Sequence, residues 1–398
     1  MSRIAVIDPD YQEEMKDLPY KFAVKMVTIL PSLGLAESVR ERHELQIEDE
    51  KVIEGFEESA RNLHNREVDV YRIFSRFDNS LSKMPHLYFT QNFTKENDVK
   101  GFIGMEFVEG VVTRNIFHNV RPEELSEAVR ALAYLEAKSL ELSDDEKQKV
   151  ASNPIPIIYP DMIHATAVSN MFQDMYAAAP ELEPAGKLLE TMTADIVDLE
   201  LTSTLNKELG MQDVFVHGDL WSANLMWTSA GDGLRLSRIV DYQVTHFGCA
   251  AEDLVRVFIS TMSGKDRREN WERLLEEFHG VMQKHCFGEL PFSLDQLKES
   301  YRRMFPIAGV LLLPVLDMVA KLGLSKLSEE EKTQKQIVLS EKTLALFEDI
   351  LLFSKRNQDV RPNKNNSTAH HTEKLSLIFL SLGIGITVLY CLLRLLTI

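Results

Sequence analysis

Cysteine is scarce in this chain of 398 residues, and basic residues are fewer than acidic ones. Its three cysteines, Cys249, Cys286 and Cys391, are odd in number and lack the spacing of metal ligands, which argues against a disulfide framework or a cysteine-based metal site. We therefore expect inert thiols in a reducing compartment. Basic residues number 44 against 61 acidic ones, so the formal net charge is −17. Because phosphate backbones repel such a charge, no nucleic-acid partner is expected.

The sequence also lacks the features of repeat, low-complexity and secreted proteins. No internal repeat or low-complexity tract is visible, and the first residues lack the basic-then-apolar layout of a signal peptide. Hydrophobic residues make up 44% of the chain, an ordinary share for a globular protein. The length suffices for one large or two moderate cores, so we expect a folded protein.

The stretch from residue 214 to residue 241 places three oxygen-bearing side chains at the ends of predicted strands. The apolar segment Val214–Val216 runs into the polar turn 217–224, which contains Asp219 and Asn224, and a later apolar segment ends at Asp241. In phosphoryl transfer, one carboxylate accepts the proton of the attacking hydroxyl, while an amide oxygen and another carboxylate hold magnesium against the nucleotide phosphates. We therefore predict that Asp219 is the catalytic base and that Asn224 and Asp241 bind Mg²⁺.

The sequence HGDLWSAN at residues 217–224 and the sequence IVDYQ at residues 239–243 resemble the motifs of a known group. They are similar to the choline-kinase-like branch of the aminoglycoside phosphotransferase superfamily, most closely to the ecdysteroid-kinase-like (CHK kinase-like) proteins of invertebrates. The resemblance runs from the first residue to about residue 350 and implies a protein-kinase-like two-lobed fold, ATP as donor and a small-molecule alcohol as acceptor. Tyr242 and Gln243 stand where protein kinases carry Phe-Gly, which disfavours an ordinary protein kinase.

A lysine and a glutamate in the first quarter of the chain also fit a kinase-like fold. Lys25 lies in the strand-like segment 21–27, which resembles the Val-Ala-Ile-Lys strand whose lysine meets the nucleotide phosphates. A solvent-facing lysine on an edge strand is the alternative. The segment 48–76 is predicted to be helical, and Glu67 shares its apolar stripe. Because a buried carboxylate needs a cation, we predict an ion pair between Lys25 and Glu67.

Four further residues have both a functional and a structural interpretation. By the resemblance, the predicted strand 102–108 leads into the kinase hinge, where backbone groups at Glu106 and Val108 receive the adenine; a plain sheet edge is the alternative. By the same resemblance, Asp253 braces the catalytic loop, although a carboxylate at a helix N-terminus is also stabilised by the helix dipole. His217 either supports the loop or is a satisfied core histidine.

Glycine is missing where a kinase normally uses it. A glycine-rich turn usually covers the phosphates, yet no glycine precedes Lys25 and the first one is Gly34. Intact Asp219, Asn224 and Asp241 favour an ATP-dependent phosphotransferase that acts on a hydroxyl of a choline-like or steroid-like alcohol. The missing turn favours a membrane-tethered pseudokinase or scaffold without efficient catalysis.

The expected architecture is an α+β, protein-kinase-like two-lobed fold with a shortened N-terminal β lobe, a large helical C-terminal lobe and a C-terminal transmembrane helix. The predicted boundaries are 1–108 for the β lobe, 109–355 for the helical lobe, 356–374 for a flexible linker and 375–396 for a membrane anchor. Residues 375–393 run uncharged for nineteen positions, enough to cross a bilayer, although an apolar helix that packs back on the enzyme is the alternative. Basic residues before this span place the kinase-like module in the cytosol.

Overall fold

The amino-terminal part of the chain forms a four-stranded antiparallel sheet. The computed structural model describes residues 2–10, 19–28, 49–151, 165–198, 200–325 and 327–360. The four strands are β1 (Ser2–Ile7), β2 (Phe22–Val27), β3 (Leu87–Gln91) and β4 (Phe102–Glu106), and they lie side by side in the order β1-β2-β4-β3. Lys25 of β2 pairs with Ile4 on one side and Ile103 on the other. It therefore belongs to an interior strand, and the solvent-facing edge lysine considered from the sequence is wrong.

Helix α1 (Asp49–Phe74) presents the predicted apolar stripe to this sheet. It packs on β2 and β3 because the residues at three- and four-residue spacings on one face are buried: Leu63, Glu67, Val70, Tyr71 and Phe74. The stripe thus carries Glu67 to the strand that contains Lys25.

Two smaller sheets position the polar turn 217–224. Their strands are β5 (Val111–Val112), β6 (Val214–Val216), β7 (Leu225–Ala230), β8 (Gly233–Ile239) and β9 (His246–Gly248). β7 lies between β5 and β8 in one sheet, and β6 pairs with β9 in the other. Leu225 is paired with Ile239, so the residue before β7, Asn224, and the segment after β8, which contains Asp241, lie side by side.

Helices surround the smaller sheets. They are α2 (Asn79–Ser82), α3 (Pro122–Ser139), α4 (Asp144–Val150), α5 (Ala165–Ala178), α6 (Glu183–Ile196), α7 (Leu201–Leu209), α8 (Ala251–Thr261), α9 (Gly264–His285), α10 (Leu294–Ser325) and α11 (Glu329–Val360). Helix α8 lies at the centre, with all of its 11 residues buried and with α9, α10 and the turn 217–224 packed around it. The fold is mixed α and β, as the sequence predicts.

Two features of the helices depend on single residues. α6 and α7 are separate helices, since Val197 at the end of α6 leaves helical geometry. α10 is one unbroken helix although it contains Pro306 and Pro314. Apolar burial along α10 outweighs the cost of the missing backbone hydrogen bonds, because its central residues are almost completely buried: Phe305, Ile307, Leu312, Leu313 and Val315.

The described chain ends in a helix, where the sequence predicts the start of a flexible linker. Helix α11 continues to Val360, so residues 356–360 of the predicted linker are helical. Arg356 in this last part holds the Glu299 carboxylate of α10 with N–O distances of 2.5 and 2.9 Å. Over the described residues, no helix combines the length and apolar character that a membrane crossing requires. The predicted anchor 375–396 lies outside them.

Candidate active site

The turn 217–224 has a backbone that only glycine fits at its second position. Gly218 has a φ of +80°, and a Cβ atom added there would lie 2.5 Å from the carbonyl oxygen of Val244. This close approach places the following residue, Asp219, deep in the molecule, where none of its surface is exposed. We call residues 217–224 the catalytic loop from here on.

Both oxygens of the Asp219 carboxylate have protein donors. Nη2 of Arg256 donates to Oδ1 over 2.7 Å, and Nδ2 of Asn224 lies 3.2 Å from Oδ2. Burial raises the pKa of Asp219 to about 6, while Arg256 acts in the opposite direction and nearby Asp241 adds to the increase. A carboxyl group with this pKa can take up and release a proton near neutral pH, as a general base must.

The side-chain amide of Asn224 is fixed in one orientation. Nδ2 donates to the backbone oxygen of Asp219 over 2.7 Å as well as approaching its carboxylate. Oδ1 is buried and, within the described part of the chain, accepts no hydrogen bond. A buried amide oxygen without a donor is costly, and a bound cation would satisfy it.

Lys25 joins the amino-terminal sheet to the segment after β8. Its Nζ atom lies 2.5 Å from Oε2 of Glu67 and 2.9 Å from Oδ1 of Asp241, and all three side chains are buried. The predicted contact between Lys25 and Glu67 is therefore present. Asp241 has a φ of +79°, a left-handed conformation that residues other than glycine seldom adopt, which indicates that the surrounding contacts hold it in place.

Asp253 and His217 organise the backbone of the catalytic loop. The Asp253 carboxylate accepts the backbone N–H groups of His217 and Gly218 over 2.6 and 3.0 Å. Nε2 of His217 lies 3.1 Å from the carbonyl oxygen of Val240, so it carries the proton, and Nδ1 accepts the N–H of Asp219. Burial lowers the pKa of His217 to about 4, which keeps the ring neutral. Their contacts thus hold the backbone of the loop in place, and the side chain of His217 also joins it to Val240.

The predicted hinge residue Glu106 makes its hydrogen bonds to other parts of the protein. The backbone N–H of Glu106 donates to the oxygen of His86 over 2.9 Å, and its carboxylate binds Arg238 of β8 with N–O distances of 2.6 and 2.8 Å. Val108 is half-buried just beyond β4. The Glu106 N–H is thus used inside the protein, and adenine binding at Glu106 and Val108 stays a prediction.

Sequence reasoning missed two arginines, one beside Asp219 and one that joins β8 to β4. Arg256 lies three residues after Asp253 in α8, so helical spacing alone could have placed the two on one face. Arg238 gives no such signal, because its partner Glu106 lies 132 residues earlier in the chain. The structure therefore adds one buried cation beside the predicted base and one link between β4 and β8.

The oxygen atoms of Asn224 and Asp241 suit magnesium. Mg²⁺ prefers oxygen ligands and is commonly held by one or two protein groups together with substrate phosphates. In the described ranges there is no cluster of three or more histidine, cysteine, aspartate or glutamate side chains able to hold a metal ion. The residues present fit a cation shared with a nucleotide better than a metal enclosed by protein.

One protein family and two relatives from Caenorhabditis elegans match most of this chain. The family DUF1679, described as "Uncharacterized oxidoreductase dhs-27", matches residues 1–358. "Uncharacterized kinase-like protein D1044.1" of Caenorhabditis elegans is 26% identical over 300 residues, which cover 74% of this chain and 77% of that protein. "Uncharacterized oxidoreductase dhs-27" of the same species is 26% identical over 332 residues, and the match spans 79% of this chain but only 38% of that protein.

Among solved structures, the microcompartment-associated aminopropanol kinase is 14% identical to the chain, with a TM-score of 0.42 and coverage of 88% of this chain and 93% of that one. The relative D1044.1 is itself described as kinase-like, which is the class of protein that the motifs indicate. Since the family match extends over residues 1–358, the chain belongs to the DUF1679 family.

Proposed function

We propose that this protein is an ATP- and magnesium-dependent phosphotransferase that transfers the γ-phosphoryl group to a hydroxyl of a small molecule, a choline-like or steroid-like alcohol. The observation that carries the proposal is the convergence of Asp219, Asn224 and Asp241 on one buried centre, to which Lys25 is joined. A base, two oxygen ligands and a lysine are the parts that phosphoryl transfer requires.

Each residue has one task in the proposed reaction. Asp219 accepts the proton of the acceptor hydroxyl as its oxygen bonds to the γ-phosphorus. Asn224 and Asp241 would hold Mg²⁺, which supplies positive charge against the phosphates when bound. Lys25 faces the phosphates, and Glu67 fixes its position through their ion pair. Protein kinases need the corresponding ion pair for activity. Burial of all five side chains strengthens these electrostatic contacts, because little water competes for them.

A pseudokinase or scaffold is the second candidate, and one observation favours it. The sequence from residue 1 to residue 24, before Lys25, contains no glycine, so no glycine-rich turn that could donate backbone N–H groups to the phosphates lies in this stretch. Without such a turn, both nucleotide affinity and turnover should be lower than in a kinase that has it.

Thermal melting with nucleotide distinguishes the two candidates. MgATP at a hundredfold excess over its dissociation constant should stabilise the protein by about 2–3 kcal/mol, since it binds only the folded state. ATP with a chelator in place of magnesium is the control and should stabilise less, because Asn224 and Asp241 would then lack the ion. If millimolar MgATP leaves the melting temperature unchanged, the scaffold interpretation is preferred.

We also propose that residues 375–396 anchor the protein in a membrane with the kinase-like module in the cytosol. The support is the uncharged run 375–393 and the basic residues before it. The full chain should stay with membranes after alkaline carbonate extraction, whereas a chain that ends at Val360 should be released. Release of the full chain under the same conditions would rule out the anchor.

A further inference from the structure

Helix α8 contacts the catalytic loop along one face. Asp253, Arg256 and Ser260 follow each other at spacings of three and four residues, so they lie on the same side of the helix. Asp253 accepts backbone N–H groups at the start of the loop, Arg256 donates to the side chain of Asp219, and Oγ of Ser260 accepts the N–H of Ser222 over 3.1 Å. The three contacts together fix the path of the loop.

Arg256 differs from the other two residues because it reaches a reacting side chain and carries charge. The catalytic loop contains no lysine or arginine, and its histidine is neutral. The guanidinium group is only 7% exposed and stays charged at any physiological pH. Burying it is costly unless an anion compensates, and Asp219 at 2.7 Å is such an anion.

We propose that Arg256 is a positioning residue for the base. Its contact with Oδ1 fixes the rotation of the Asp219 carboxylate, so that Oδ2, which Asn224 approaches at 3.2 Å, keeps a lone pair directed to the acceptor hydroxyl. Arg256 also places a positive charge next to the base. The inference rests on the proposed phosphotransferase function, and it goes beyond it by giving α8 a part in turnover.

A purely structural ion pair is the competing explanation. In that case, loss of Arg256 would lower the stability of the whole fold and would affect substrate binding and turnover together. A positioning role instead predicts a selective loss of turnover, because a small displacement of a catalytic group slows the chemical step without weakening nucleotide binding.

Release of phosphate from MgATP to water tests the proposal with an acceptor that is always present. The water oxygen bonds to the γ-phosphorus, the bond from that phosphorus to the bridging oxygen breaks, ADP leaves with the electron pair, and the water proton passes to Asp219. We expect Arg256→Met to lower kcat about 100-fold and to leave the KM for ATP within about twofold. Arg256→Lys keeps the charge but not the planar fork, so it should recover part of the loss.

Free guanidinium ion provides the sharpest readout. At millimolar concentrations, too low to denature the protein, it should restore part of the turnover of Arg256→Met by occupying the vacated space. Ser260→Ala is the matched control: it removes a loop contact from the same face of α8 without removing a charge, and guanidinium should not restore its activity. If Arg256→Met does not fold, the comparison of Arg256→Lys with the wild type carries the test.

The outcomes separate the inference from the function on which it depends. Phosphate release by the wild type with an unchanged kcat in Arg256→Met overturns the positioning role and leaves the proposed function intact. A parallel loss of kcat and ATP affinity without recovery in guanidinium also overturns it, in favour of a structural pair. Failure of the wild type to release phosphate to water or to any alcohol overturns the proposed function, and the inference falls with it.

Discussion

Replacing Asp219 with asparagine should lower turnover by about 10²- to 10⁴-fold, the range that a positioned general base contributes. The amide has nearly the size of the carboxylate and can still accept a hydrogen bond from Arg256, but it cannot take up the proton of the attacking hydroxyl. Transfer of the γ-phosphoryl group to small alcohols, or its release to water, measures the loss.

Nucleotide binding should survive the same substitution. Asp219 is predicted to act on the acceptor, whereas Asn224 and Asp241 are predicted to hold the metal, so the stabilisation by MgATP should remain close to that of the wild type. Loss of both turnover and MgATP stabilisation in Asp219→Asn would contradict the role of base and indicate that this carboxylate binds the metal.

The pH dependence of the wild type gives a second measure of this base. Burial raises the pKa of Asp219 to about 6, and a protonated carboxyl group cannot accept the proton of the acceptor. Turnover should therefore fall as the pH drops through about 6 and become constant above it, since the ionised form is the active one. A profile without this acidic decline would argue against Asp219 as the base.

The second large effect is expected at Asp241. Asp241→Asn removes a negative charge from the predicted magnesium ligand and should weaken MgATP binding. Loss of a residue that only hydrogen-bonds a metal ligand costs roughly 10- to 100-fold in affinity, so loss of the ligand's own charge should cost at least as much. Asparagine tolerates the left-handed backbone that Asp241 adopts, so the change should not strain the chain. The rise in melting temperature across a titration with MgATP measures the affinity.

Asp349 offers a matched control for this variant. It is also a buried aspartate held by cations, since Arg267 and Arg268 donate to its two oxygens over 2.6 and 2.7 Å, but it joins α9 to α11 and does not contact the catalytic loop. Asp349→Asn should lower the free energy of unfolding by up to about 3–5 kcal/mol and leave the stabilisation by MgATP unchanged. Equal loss of MgATP stabilisation in both variants would refute the metal-ligand assignment.

Local patterns predicted much of this centre. The spacing of the apolar residues in α1 placed Glu67 on the buried face, and a buried carboxylate needs a cation. The residue types in 217–224 likewise indicated a polar loop between two strands. Both inferences depend on neighbours within one helix or one hairpin, where spacing along the chain fixes which side chains share a face. The choice of Lys25 as the cation came from the resemblance to kinases, since it lies 42 residues before Glu67.

Contacts between distant segments were not predictable in this way. Nothing in the sequence joins Arg238 to Glu106, and Arg256 was overlooked because α8 had to be positioned against the loop first. Proline usually ends or kinks a helix, yet α10 continues through Pro306 and Pro314 because the residues around them are buried. Local preferences are weak enough for tertiary burial to override them.

The hydrogen bond between Lys25 and Asp241 joins residues that are 216 positions apart, so the ribosome adds the two residues at different times. At a synthesis rate of about 5–20 residues per second, the ribosome adds Asp241 roughly 10–40 s after Lys25. During this interval the lysine and its glutamate are already present, but the third member of the cluster does not yet exist. The cluster is thus completed only after all four strands of the amino-terminal sheet have been synthesised.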